Sequence, residues 1–309
     1  MAKKRPPVAL IAGPTASGKS ALALRLAETT GGAIINADSA QVYRDLPILS
    51  AAPSAADRAR AEHLLYGVLD GAAPCSAADW AGLAKVKITR LHDAGRLPIL
   101  AGGTGLYLRT LLDGIAPVPE IDPDIRARVR GNSVAENLAE LMPLDPVAAT
   151  TLNPGDTTRI ARALEVVRST GKTLADWQKQ SEGGIGEQIE LKPMVLLPPR
   201  PWLNERCDRR FAGMVEQGAP AEVEQLLERK LDPNLPVMRA IGVSELAAQL
   251  KGEWTMEQAI AAGQQATRRY AKRQYTWFSN QPPPDWPRLH VPLDGETIGR
   301  ALALLGAAG

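Results

Sequence analysis

The sequence predicts an α/β fold in which a parallel sheet flanked by helices is interrupted by an all-helical insertion. Three observations predict it. Short apolar runs bounded by turn residues recur at residues 8–12, 33–35, 97–101 and 194–197, the pattern of strands buried on both faces. Helical periodicity fills the gaps between them, which is the alternation of a doubly wound sheet. From about residue 115 to 188 the pattern changes to helical pieces broken by Pro117, Pro119, Pro123, Pro143, Pro146 and Pro154 and closed by glycines at 183, 184 and 186.

The chain's 309 residues, 45% hydrophobic, are enough for one large α/β domain carrying an insertion. The expected organisation is a first part of the core at 1–114, a helical insertion at 115–190, a second part of the core at 191–280 and a tail at 281–309. Opening the chain, residues 1–7 are basic, but the apolar run at 8–12 is too short for a signal segment. A protein that is soluble and not exported is expected, in the cytoplasm and without a membrane. Cys75 and Cys207 are far apart and match no metal or redox spacing, so both read as packing residues in a reducing compartment. A net charge of +2 neither implies nor excludes a nucleic-acid partner, which has to be sought in local clusters.

Taken in order, the first strand at 8–12 leads into Gly13-Pro14-Thr15-Ala16-Ser17-Gly18-Lys19-Ser20, a complete G-x-x-x-x-G-K-S followed by a helical run at 21–28. Strand before and helix after are the setting in which this motif cradles phosphates, so the core is expected to be P-loop NTPase-like. Backbone amides curl around the anion at a helix N-terminus, Lys19 adds a charge, and the Ser20 hydroxyl can ligate Mg²⁺ bridging phosphate oxygens. A cradle of this kind reads linked phosphates and does not say which molecule carries them. The second strand, 33–35, ends in Asn36-Ala37-Asp38-Ser39-Ala40-Gln41-Val42-Tyr43-Arg44. Position at the carboxyl edge of a parallel sheet suits Asp38 equally to chemistry and to capping the next helix; Ser39, Gln41 and Tyr43 beside it, able to hydrogen-bond a base edge, favour chemistry.

Ser76 caps a predicted helix whose apolar positions Trp80, Leu83, Ala84, Ile88 and Leu91 share a face, ending near Gly95. The strand at 97–101 then ends in Gly102-Gly103-Thr104-Gly105, where a P-loop hydrolase would carry an Asp to hold magnesium. Thr104 thus sits at another strand end on the same rim. After the strand at 194–197, Leu203, Cys207, Phe211, Met214 and Val215 share a helical face, and Arg206 and Arg210 lie one turn apart after that strand, suited to an anion or to surface ion pairs. A long helix at about 256–278 brings Arg268, Arg269, Lys272 and Arg273 together, with aromatic residues interleaved. Such a face suits RNA phosphates or simply solvent. The tail, opened by Pro282, Pro283 and Pro284, is expected to be an appended segment.

In combination these motifs resemble the bacterial tRNA dimethylallyltransferase family over nearly the whole chain. GPTASGKS at 13–20, NADSAQVYR at 36–44, SAADW at 76–80 and GRLPILAGGTGLY at 95–107 come in the family's order. TRIARALEV at 158–166, STGKTL at 169–174, AIG at 240–242 and TRRYAKRQYTWF at 267–278 follow. The resemblance implies that the P-loop binds the pyrophosphate of dimethylallyl diphosphate, with Mg²⁺ as cofactor, and that the acceptor is N6 of the adenosine 3′-adjacent to the anticodon in tRNAs reading U-starting codons. It further implies that Asp38 is the general base, that Thr104 fixes it, and that Lys19 and Arg210 stabilise the leaving group. Contacts to the anticodon stem-loop are implied for Asp38, Ser39, Ala40, Gln41, Thr104, Arg126, Thr158, Arg159, Ile160, Ala161 and Arg162. Arg268, Lys272 and Arg273 join them as basic residues of the long helix, and the protein is expected to work as a monomer.

Three positions depart from the family pattern. Leu49-Ser50-Ala51-Ala52-Pro53 lacks the basic residue expected before the proline, Val243 stands where a tyrosine is common, and Ser20 replaces a threonine while keeping its hydroxyl. Two other readings remain: a small-molecule or nucleotide kinase, which shares the cradle and would be stabilised by ATP and Mg²⁺, and a non-catalytic RNA-binding regulator with a decayed P-loop, for which Asp38 would be dispensable.

Overall fold

Why this chain makes a parallel sheet is visible in its first strand: Val8, Ala9, Leu10, Ile11 and Ala12 are all fully buried, so both faces must be covered by helices. The computed structural model describes residues 5–307; residues 1–4 of the basic start and 308–309 of the tail lie outside the described residues. Six strands, β1 (Pro7–Ala12), β2 (Ala33–Asn36), β3 (Glu62–Leu64), β4 (Pro98–Gly102), β5 (Glu190–Leu196) and β6 (Arg288–Leu289), form one sheet in the order β3-β2-β4-β1-β5-β6. Every neighbouring pair is parallel. Ala12 lies opposite both Gly102 and Val195, and Asn36 opposite Ala101. The carboxyl ends of β1, β2, β4 and β5 therefore align, and the loops that leave them share one rim. Pro193, which cannot donate to a ladder, is tolerated in β5 because β6 pairs only with Val195 and Leu196.

The helices are α1 (Lys19–Thr30), α2 (Ala55–Arg60), α3 (Ala77–Asp93), α4 (Gly105–Asp113), α5 (Pro123–Gly131), α6 (Val134–Leu141), α7 (Pro146–Thr151), α8 (Thr157–Thr170), α9 (Leu174–Gln178), α10 (Arg200–Glu216), α11 (Ala219–Glu228), α12 (Val243–Leu250), α13 (Met256–Asn280) and α14 (Gly295–Leu304). Two compact units result, Met1–Leu111 with Gly186–Gly309 and Leu112–Ile185. In the first, Ser76 caps α3 as expected, its hydroxyl accepting from Asp79 N at 3.1 Å while Asp79 accepts from Ser76 N at 2.9 Å. Trp80, Ala84, Ile88 and Leu91 are buried, but Leu83 is 38% exposed. It lies on the solvent side of the stripe that the sequence assigned to it. On α10, Leu203, Cys207 and Phe211 are buried while Met214 and Val215 are only half-buried.

The second unit has its own small core of Val129, Leu141, Ile160, Ala163, Leu164 and Val167, with α8 at its centre. It is helical apart from a single bridge between Ile115 and Glu182.

Residues 281–309 are not a mere appendage. Within them β6 joins the sheet, and Ala301 and Leu305 of the α14 segment are buried in the cluster that includes Leu22, Leu26, Met194 and Leu196. A leucine such as Leu305 is worth about 1.5–3 kcal/mol when fully buried and the Ala301 methyl about 0.8 kcal/mol, so this segment helps hold α1 in place. A two-residue strand carries no periodicity, which is why neither β6 nor the three-residue, charged β3 was visible in the sequence.

Candidate active site

The phosphate cradle leaves the end of β1 and turns into α1 at Gly18, whose φ of +101° lies in the left-handed region and costs a glycine little. A Cβ there would approach Leu293 of the chain's last segment to 2.8 Å, so the supposed tail also backs the loop. Lys19 folds over the loop and donates from Nζ to Pro14 O at 2.6 Å. Burial lowers its pKa from 10.5 to about 8; the charge of Asp38 works against that fall and Arg210 adds to it. Ser20 is exposed at the start of α1. From α10, Arg206 donates from Nε to Ala16 O at 3.0 Å and lies over the Trp202 ring at 4.6 Å, while Arg210 reaches Thr15 Oγ1 at 3.3 Å. Burial pulls the Arg210 pKa down and Asp38 opposes it. Lys19, Ser20, Arg206, Arg209 and Arg210 line an open cleft of about 780 Å³, with Ala51, Ala52 and Pro53 on its wall. The basic residue absent at Ala52 would therefore have faced this cleft.

Asp38 sits one loop away on the same rim. No helix follows it, so capping is excluded: Asp38 Oδ1 accepts from Ala40 N at 3.0 Å in a tight local turn. Asn36, wholly buried at the end of β2, fixes that turn. Its side chain accepts from Asp38 N at 2.8 Å and donates to the carbonyls of Asp38 and Leu65, each at 3.0 Å, while its own carbonyl accepts from Trp80 Nε1 at 2.9 Å. At Gly102 any Cβ would collide with the backbone of Ala37. That close approach lets Thr104 Oγ1 accept from Ser39 N at 2.9 Å and donate to Ser39 Oγ at 3.3 Å. Thr104 is thus bonded to the loop that carries Asp38, as a residue fixing the base would be. Gln41 is turned elsewhere, donating to Ser50 O and Ala51 O at 3.0 and 2.8 Å.

Two residues of α13 stand beside this rim: Tyr270, read in the sequence as one of the aromatics interleaved for packing or stacking, and Gln274, which the sequence did not single out. Tyr270 of α13 lines a 90 Å³ cavity with Asp38, Ala40, Tyr43 and Ile241. Burial, with Asp38 reinforcing it, raises its pKa well above the ordinary phenol value. One turn on, Gln274 is buried and bonded to both rim loops. Both residues stand inside the quoted TRRYAKRQYTWF motif, yet on an amphipathic helix a tyrosine reads as packing and a glutamine as surface.

The basic candidates divide. Arg268 pairs with Asp208 of α10, which ties it into helix packing, whereas Lys272 and Arg273 are exposed and Arg273 lies over the Tyr270 ring at 5.6 Å. In the second unit Arg126, Thr158 and Arg159 are exposed, and Ala161 and Arg162 are half-buried. Ile160 is a correction: its side chain is fully buried in the core of that unit and cannot reach RNA. Glu165, 1% exposed, gathers Arg130 at 2.9 Å and Arg162 at 3.8 Å. Burial holds down the Arg162 pKa, Glu165 opposes it, and Arg126 and Arg130 add to the fall.

A family model described as IPP transferase matches residues 41–281. The chain is 59% identical to a tRNA dimethylallyltransferase of Erythrobacter litoralis, over 93% of this chain and 92% of that one. Against the tRNA dimethylallyltransferase of Sphingopyxis alaskensis the figures are 60%, 91% and 92%. Among solved structures it is similar to a tRNA isopentenylpyrophosphate transferase of Bacillus halodurans, with a TM-score of 0.70 and 31% identity, covering 98% of this chain and 95% of the other. A eukaryotic dimethylallyltransferase acting on tRNA gives a TM-score of 0.75 at 28% identity, covering 88% and 69%. The strand order, the cradle and these likenesses agree: this chain belongs to the IPP transferase family.

Proposed function

We propose that this protein transfers the dimethylallyl group of dimethylallyl diphosphate to N6 of the adenosine 3′-adjacent to the anticodon in tRNAs reading U-starting codons, releasing pyrophosphate. One observation carries the reading: a diphosphate cradle and an aspartate locked in a tight turn face each other across the carboxyl rim of the sheet. A kinase would need a carboxylate for its metal at the end of β4, where this chain has glycines and Thr104.

The adenine amine is a poor nucleophile because its lone pair is delocalised, so a base must draw off a proton as the bond forms. Asp38 takes that proton. As it does so, N6 bonds to C1 of the allyl group while the C1–O bond breaks, and the electron pair of that bond leaves with pyrophosphate. Charge growing on the leaving group meets the P-loop amides, Lys19 and Arg210. Mg²⁺ fits the site: the Ser20 hydroxyl is exposed at the cleft. Among the described residues no group of three or more His, Cys, Asp or Glu could cage a metal, so the ion would be held by Ser20, phosphate oxygens and water, as Mg²⁺ tolerates. When bound, it neutralises pyrophosphate charge.

Reaching the adenine requires flipping it out of the loop at a cost of a few kcal/mol, on the order of what several phosphate contacts return. Arg126, Arg159 and Arg162 of the insertion and Lys272 and Arg273 of α13 supply such contacts. The protein acts as a monomer in the cytoplasm; among the described residues no helix is long and apolar enough to cross a membrane.

The test mixes the protein with Mg²⁺, labelled dimethylallyl diphosphate and unmodified tRNA. Label is expected on N6 of that adenosine for the native chain, and none for Asp38→Asn, which still binds tRNA. Full activity of Asp38→Asn removes Asp38 from the mechanism; stabilisation by ATP with phosphate transfer replaces the reading with a kinase.

A further inference from the structure

We propose that Gln274 is a positioning residue that fixes the spacing between the diphosphate cradle and the loop holding the base, so that leaving group and nucleophile are aligned. The inference rests on the transfer reaction above.

Gln274 is 5% exposed on α13. Its Oε1 accepts from Thr15 N at 2.8 Å and its Nε2 donates to Gly103 O at 2.9 Å. Each of these partners opens onto one half of the reaction. Thr15 belongs to the cradle and its hydroxyl takes the bond from Arg210. Gly103 precedes Thr104, whose hydroxyl holds the Ser39 amide beside Asp38. Side chain and backbone therefore run without a gap from Arg210 through Thr15, Gln274, Gly103, Thr104 and Ser39 to Asp38. In the proposed reaction both outer members do chemistry, and Gln274 bonds the two loops that carry them.

Only a glutamine satisfies the two sides. It presents an acceptor to one loop and a donor to the other, which fixes the amide orientation. Glutamate has no proton for Gly103 O and would set a negative charge against that carbonyl. Methionine fills the volume but makes neither bond. Crowding enforces the same geometry from the opposite direction, since a Cβ on Gly103 would collide with Gln274 Nε2.

A polar side chain buried for packing alone would be replaced by Met with a loss of stability and little change in turnover. A positioning role predicts otherwise, because a shift of about 1 Å between reacting groups can cost about 100-fold in rate. Gln274→Met and Gln274→Glu are to be compared with the native protein in steady-state transfer of label, varying dimethylallyl diphosphate and tRNA in turn, with melting followed alongside. The expected result is a fall in kcat of about 100-fold, with both KM values within about threefold and a cooperative melt retained. Turnover within about threefold of native overturns the proposal, as does a rise in KM for the diphosphate at unchanged kcat, since Gln274 would then only shape the cradle. Should the Met variant not melt cooperatively, Gly103→Ala reads the same contact from the other side, and its kcat decides in the same way. Failure of the native protein itself to transfer label condemns the functional reading before any variant is compared.

Discussion

Lys19 gives the reaction an alkaline limit that an ordinary lysine would not. The group lies folded over the cradle, and burial brings it from 10.5 to about 8. A depressed lysine loses its charge as pH rises through its folded value, so in the free cradle Lys19 is cationic below about pH 8 and neutral above, while the arginines beside it keep their charge. With that pKa about nine-tenths of the ammonium is charged at pH 7 and about one-tenth at pH 9. The diphosphate needs the charge, so kcat/KM for dimethylallyl diphosphate is expected to fall about tenfold per pH unit above 8. Once the anion is bound it favours the protonated amine, and kcat is expected to stay level over the same range. Neighbouring groups do not blur the signal. Burial holds the Cys207 thiol at about 11, raises the Tyr66 and Tyr270 phenols above their ordinary range and lowers His63 below 6.5. Initial rates of label transfer at saturating tRNA and fixed ionic strength, from pH 6.5 to about pH 9.5, provide the measurement. Lys19→Arg should be slower throughout, since a guanidinium does not fit a point-charge site, but without the limb at 8. A kcat/KM that stays flat to about pH 9.5 in the native protein refutes the reasoning, for it means the amine keeps its solution pKa.

Three further outcomes concern the long helix. Arg268 is committed to Asp208, with both side chains about one-third exposed, so Arg268→Ala should cost about 0.5 kcal/mol of stability and leave the salt dependence of tRNA binding unchanged. Lys272→Ala should instead lower the slope of log K against log salt by about 1 without touching stability, and a filter-binding series at several salt concentrations separates the two. Gly263 faces Phe211 so closely that an added Cβ would collide with the ring. Gly263→Ala is therefore expected to destabilise by about 1–3 kcal/mol in urea unfolding, and an unchanged midpoint would show that α10 and α13 can part without cost.

What the sequence could and could not disclose follows from where each signal is encoded. The cradle and the four long strands were legible because an apolar run and a glycine-lysine loop are local patterns, complete within a few residues. Asp38 was legible as a position at a strand end, but only the turn through Ala40 and Asn36 excludes a helix cap there. Gln274 was not legible, since its meaning lies in two carbonyl and amide partners 171 and 259 residues away. Ile160 shows the converse. It sits in the stretch 158–162 that the family resemblance assigned to RNA contact, although its 3.6-residue phase with Ala163, Leu164 and Val167 sends it to the core. The last segment failed for a third reason: its strand is two residues long, and its value to the site lies in what Leu293 and Ile298 touch, the cradle and the cleft wall. A motif names the residues that meet the substrate. The groups that hold those residues at the right distance come from remote parts of the chain and are recognised only once the sheet has brought its loops to one rim.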